Sequence, residues 1–317
     1  MRFSFWISAG LAWEEILGQA RHVEATGWDG VYVADHFMPN DDGSLDQPMH
    51  ECFSVLAALA AAVPRVRIGS LVAGATYRHP AVLAKQALTI DHIAGGRLVL
   101  GVGAGWQENE HQRYGIELGS VRDRLDRFEE MCEAWLALRD ERRATVQGRY
   151  VALEDAPAEP KAVGPLPLLI GGSGQRRMAE IVARRADEWN TWSTPELWRT
   201  KRVGFDRALD AIGRDPASLH RSTQALVLLG ADGRSGPRSS PPSARRSGHV
   251  RAAHRGGRRL GRAGPRRADR ARVHAGHGRA LPRGARPARH RGGAGLPLSA
   301  GGIRTRRASP TPSPARR

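Results

Sequence analysis

Four short segments of this chain pair residue types that do chemistry with the turns needed to present them. Asp35-His36 closes an apolar run at residues 31–34. His36 is either a proton-handling group near neutral pH or a hydrogen-bonded structural histidine. Residues 73–80, Ala-Gly-Ala-Thr-Tyr-Arg-His-Pro, follow a second run. Their small members let a flat ring approach the backbone, and Arg78 is an anion contact or a solvated arginine on a glycine turn. In Gly101-Val102-Gly103-Ala104-Gly105-Trp106-Gln107-Glu108-Asn109-Glu110 the glycines suggest a dinucleotide loop. Trp106 occupies the place of the third small residue, so that reading fails. What is left suits a backbone held close to a planar ligand. Glu108 and Glu110 serve either as acids and polar anchors or as a solvated helix face. Gly171-Gly172-Ser173-Gly174-Gln175-Arg176-Arg177 joins a strand to a helix. Free N–H groups, the helix dipole and two arginines make it an anion site for a ligand phosphate, against the plainer reading of structural turn glycines. It lacks the Lys-Ser/Thr of a phosphate-binding Walker loop.

The elements that must position these segments alternate. Residues 3–8, 31–34, 66–72, 98–102, 168–170, 189–192 and 225–229 read as strands. Helical patterns fall at 16–23, 51–63, 80 onward, 123–138, 178–184 and 195–212, and residues 144–165 read as irregular. Strict alternation implies parallel strands with helical crossovers. Seven βα units without a Rossmann fingerprint predict a (β/α)8 TIM barrel whose last helix-strand-helix segment is missing or garbled; an open doubly wound sheet is the runner-up. Barrel chemistry sits at the carboxyl ends of the strands, where all four segments fall.

Composition breaks at Gly233. Residues 233–317 hold 23 Arg, no Lys, no aromatic residue and one acid, Asp269, for a net charge of +22, whereas residues 1–232 carry −5. The basic character of the chain therefore belongs to its tail. An Arg-rich arm binding nucleic acid is one explanation. A reading-frame shift in a GC-rich gene fits the absent Lys, Phe, Tyr and Trp better, which removes nucleic acid from the favoured partners. The expected organisation is one domain over 1–232 and a disordered or poorly packed tail over 233–317. Cys52 and Cys132 lack metal or disulfide spacing and read as buried, inert thiols. No leader or membrane-spanning run is evident, giving a cytoplasmic expectation.

Assembled, these segments resemble the bacterial luciferase-like superfamily, and within it the actinobacterial oxidoreductases that use the deazaflavin coenzyme F-420. The resemblance lies in residues 22–40 (HVEATGWDGVYVADHFMPN), 67–83 (RIGSLVAGATYRHPAVL), 95–114 (GGRLVLGVGAGWQENEHQRY) and 167–192, and is expected to end where the composition breaks. It implies a TIM barrel and hydride transfer between a small organic substrate and C5 of the coenzyme, with reduced FMN and a monooxygenase reaction as the alternative. It further implies that His36 lies beside the reactive ring. Val72, Ala73 and Gly74 would form a third-strand bulge under that ring, often with a non-proline cis peptide. Gly171, Gly172 and Ser173 would turn near the coenzyme's phosphate, while Gly103 and Gly105 keep the planar-ligand contact read from the glycine run itself. Where some relatives carry a carboxylate after Gly-x-Gly this chain has Trp106, which argues against a sugar-phosphate mechanism resting on that acid. Barrels of this kind often pair as homodimers.

Overall fold

Strands buried on both faces read as continuous apolar runs, and helices that cover them show one apolar stripe. The computed structural model, which describes residues 1–40, 45–173 and 176–225, builds its sheet from such runs. In chain order the elements are β1 (Ser4–Ile7), α1 (Trp13–Ala25), β2 (Gly30–Val33), α2 (Cys52–Ala62), β3 (Arg67–Ser70), β4 (Ala73–Gly74) and α3 (Pro80–Ala94). Then come β5 (Leu98–Gly103), α4 (Glu108–Tyr114), α5 (Val121–Asp140), β6 (Ala144–Gln147), β7 (Ala152–Ala156), β8 (Leu168–Gly171), α6 (Arg176–Arg185), β9 (Glu188–Trp192), α7 (Pro195–Asp210) and β10 (His220–Gln224). Local chemistry sets several helix starts. The Glu51 carboxylate accepts the Phe53 and Ser54 N–H groups, Pro80 occupies the first turn of α3, and Ser120 and Thr194 cap α5 and α7.

All main-sheet pairings are parallel, in the order β1-β2-β3-β5-β8-β9-β10, with β4 also paired to β5. That order follows the chain without reversal. A doubly wound sheet reverses at a switch point, so the runner-up architecture is excluded and seven consecutive staves of a barrel are present.

Side-chain alternation confirms two distinct faces. Val31, Val33, Ile68, Leu98, Leu100, Val102, Leu168 and Ile170 point outward into the large core shared with the helices. Tyr32, Val99 and Leu169, the residues between them, form a separate inner cluster with Leu71 and Val72. Higher on that inner face the alternation places Gly101, Gly103 and Gly171.

Three local features differ from the expected element order. The last described strand lies at His220–Gln224, before the apolar stretch 225–229, of which 226–229 fall outside the described residues. Its residues are polar and ordered by parallel pairing to β9, Arg221 opposite Trp189, so apolar patterning did not reveal it. Residues 144–165 are not wholly irregular, since β6 and β7 form an antiparallel hairpin with Val146 and Leu153 facing each other. A short helix, α4, precedes the expected long one. The tail, 233–317, lies outside the described residues. Among the described residues, no helix is long and apolar enough to cross a membrane.

Candidate active site

The floor of the site is a break in the third stave. Gly69 pairs with Val99 and Ala73 with Val102, so four residue steps on this side oppose three on β5. One extra residue is thus accommodated, which is a bulge. The Leu71–Val72 peptide within it is cis. Val72 is seated among glycines: a Cβ on Gly103 would lie 2.9 Å from its Cγ2, one on Gly171 3.0 Å from both its methyls, and one on Gly101 3.2 Å from Cγ1. Side chains at those three inner positions would crowd Val72, most at Gly103. The sequence-predicted Val72, Gly103 and Gly171 therefore converge, leaving an apolar platform at the carboxyl end of the strands.

The other predicted ligand contacts spread away from that platform. Ala73 is buried in β4, and the Gly74 N–H donates to Asp35 Oδ2 at 3.1 Å while the Tyr77 ring fills the space beside its Cα. Gly105 sits against Thr76, and its carbonyl accepts from Arg124 at 3.0 Å. Gly172 packs on Met178, its N–H donating to the Asn190 carbonyl at 3.0 Å. Ser173 is exposed just ahead of α6.

His36 leaves β2 toward the same mouth. Its Nδ1 lies 3.0 Å from Oε2 of Glu110, a carboxylate with no solvent exposure. Glu110 also accepts from the Tyr77 hydroxyl and, at Oε1, from the Phe37 N–H. A carboxylate only accepts, so Nδ1 carries the proton, and Nε2 makes no hydrogen bond among the described residues. The ring meets Trp106 edge-on at 5.6 Å, and Trp106 is 53% exposed. Burial by itself would raise the Glu110 pKa, but the bonds from His36, Tyr77 and Phe37 outweigh it and hold the carboxyl below its usual range. The Tyr77 hydroxyl is pushed upward by burial and by the same carboxylate. Beside it His111 donates from Nδ1 to the Gln107 carbonyl at 2.7 Å and meets Thr76 Oγ1 at Nε2, also at 2.7 Å. Glu108, two residues before Glu110, faces solvent.

The arginines read as anion contacts are committed elsewhere. Arg78 grips Asp35 at 2.5 and 2.9 Å and Glu51 at 2.5 Å, with its guanidinium 4.6 Å from the Phe53 ring centre. Burial would lower its pKa, yet the two carboxylates raise it. Arg177 pairs with Asp126 and Glu129 of α5, and Arg176 with Glu180 one turn on. Cys52 and Cys132 are fully buried, and burial raises both thiol pKa values. A cavity of about 290 Å³ lies between residues 75–80 and the side chains of Arg127, Met131 and Tyr150. It touches neither His36 nor Val72.

In the comparison with known families, residues 1–288 match the family described as luciferase-like monooxygenase. The chain belongs to the luciferase-like monooxygenase family. The match runs past Gly233, so family resemblance does not end at the compositional break as expected. An uncharacterised protein of Mycobacterium bovis is 36% identical over 187 residues, 54% of this chain and 65% of that protein. An F-420-dependent glucose-6-phosphate dehydrogenase of Microbacterium testaceum is 32% identical over 206 residues, 63% of this chain and 60% of that enzyme. The chain thus spans less than two thirds of the length of these curated relatives. Among solved structures, an F-420-dependent secondary alcohol dehydrogenase in complex with an F-420–acetone adduct superposes with a TM-score of 0.63 at 24% identity, over 70% of this chain and 68% of that one. That likeness shows the fold alone, and it agrees with the seven parallel staves of an incomplete α/β barrel found among the described residues.

Within this luciferase-like barrel, sequence reasoning missed Tyr77 and His111 and left Glu110 undecided. Helix geometry held a signal for the last. Residues two apart on a helix point to different sides, so Glu108 and Glu110 could not share one environment.

Proposed function

We propose that this chain is an F-420-dependent oxidoreductase that moves a hydride between a carbinol or carbonyl carbon of a small organic molecule and C5 of the deazaflavin. The observation that carries this reading is His36, anchored through Nδ1 and open at Nε2, at the same strand ends as the Val72 platform. The residues present suit a planar ring: an apolar floor, three glycines that keep it clear, and Trp106 at the rim. Ser173 and the N-terminal turn of α6 would face the anionic arm. When bound, the coenzyme supplies the two-electron acceptor.

The protein's own part is orientation and proton handling. As the carbinol carbon gives up hydride, its hydroxyl proton passes to His36 Nε2, and the carbonyl forms. Glu110 stabilises the resulting imidazolium; in the reverse direction the imidazolium returns the proton to the carbonyl oxygen. Curated relatives that act on glucose 6-phosphate support coenzyme and reaction type. Their phosphorylated substrate is not carried over, because Trp106 replaces the expected carboxylate and Arg78 is neutralised by Asp35 and Glu51.

The family description also supports a second reading, in which the same platform holds reduced FMN in an oxygen-dependent reaction. Titrating the full chain with F-420 and with FMN, following quenching of each ligand's fluorescence, tests the assignment. Saturable quenching of F-420 at concentrations well below those needed for FMN is expected. Preference for FMN, or binding of neither, refutes the proposal.

A further inference from the structure

We infer that Glu110 is the positioning residue of this site, fixing His36 in the tautomer that leaves Nε2 unprotonated. The inference rests on the proposed role of His36 and adds what makes that role work. Neutral imidazole has one protonated nitrogen, chosen by its hydrogen-bond partner. Here the partner on Nδ1 is a fully buried carboxylate at 3.0 Å. Its own geometry is set from two further directions, by the Phe37 N–H on Oε1 and the Tyr77 hydroxyl on Oε2.

The other ionisable groups packed around the pair do not compete for Nδ1. Asp35, next in the chain to His36, is taken by Arg78 and the Gly74 N–H, and Arg78 is shared with Glu51 at the head of α2. His111 is engaged with Thr76 and Gln107. Tyr77 already donates to Glu110.

The Phe37 N–H makes the substitution Glu110→Gln discriminating. It requires an oxygen at the Oε1 position, so the amide nitrogen of Gln must face His36 and Tyr77. An amide N–H facing Nδ1 forces the proton onto Nε2, the wrong tautomer for accepting a substrate proton. A carboxylate that merely filled space would leave the tautomer unchanged.

The test is imidazole ¹⁵N NMR of the full chain at a pH where His36 is neutral, its signals assigned by their loss in His36→Gln. The wild type is expected to show a protonated Nδ1 and a bare Nε2, Glu110→Gln the reverse, and Tyr77→Phe the wild-type pattern. With coenzyme and an alcohol substrate, Glu110→Gln is expected to lower kcat about 100-fold or more while F-420 affinity changes less than threefold. A wild-type protein with Nε2 protonated overturns the inference without any variant having to fold. So does a Glu110→Gln protein that keeps the wild-type tautomer or kcat within threefold. Failure of wild-type protein to bind F-420 would count against the proposed function alone, since the tautomer is read without coenzyme.

Discussion

The glycine seat around Val72 gives a prediction with a calculable size. In Gly103→Ala the new methyl would lie 2.9 Å from Val72 Cγ2, whereas carbon atoms in contact sit about 3.5–4.0 Å apart. Val72 must move by roughly 0.6–1 Å, and overpacking of that order costs about 1–3 kcal/mol. If the clash is with Val72 alone, removing its methyls removes the cost. Val72→Ala is itself expected to destabilise by about 1–2 kcal/mol, since two partly buried methyls are lost. Gly103→Ala in the Val72→Ala background should then be nearly free, giving a coupling energy of about 1–3 kcal/mol in a double-mutant cycle. Urea denaturation of the four proteins, with equal m-values, measures it. Gly101→Ala serves as the contrast, because its methyl would lie 2.0 Å from the Ser70 carbonyl oxygen and no change at Val72 relieves that. Additivity of Gly103→Ala and Val72→Ala within about 0.5 kcal/mol would refute the packing argument.

Asp35→Asn is expected to cost about 3–5 kcal/mol in urea denaturation, because it leaves the guanidinium of Arg78, 10% exposed, without its two-point partner. A loss below about 1 kcal/mol would show that Glu51 alone satisfies Arg78. The depressed pKa of Glu110 fixes the sign of a pH effect: its contribution to stability is complete above the ordinary carboxylate range, near pH ~4.3, and disappears as pH falls through the lower folded-state value. Urea midpoints measured down that acid range should fall more steeply for wild type than for Glu110→Gln, and parallel slopes would contradict it.

Much of the barrel was legible because parallel strands covered on both faces show themselves as apolar runs, as in Leu98–Gly103. The polar strand His220–Gln224 had no such signature; its neighbour β9 defines it. His36 was singled out because strand ends are where barrels place chemistry. The ion-pair partners of Arg78 and Arg177 were not legible for a physical reason: Asp35 is 43 residues from Arg78, and Glu129 and Asp126 are 48 and 51 from Arg177, so these partners appear only once the chain is folded. Tyr77 stayed hidden likewise, since its contact with Glu110 joins a loop to helix α4, 33 residues on. The glycines at 103 and 171 were read as ligand contacts, and folding adds a second demand on them, the space taken by Val72.

The central claim is direct hydride transfer across the Val72 platform with His36 handling the proton. The most direct measurement incubates the full chain with F-420 and an alcohol deuterated at the carbinol carbon, then reads the isotope in the reduced coenzyme by mass spectrometry. The account predicts one deuterium at C5, with no requirement for oxygen. Reduced coenzyme free of deuterium, or turnover that needs FMN and oxygen instead, would contradict it.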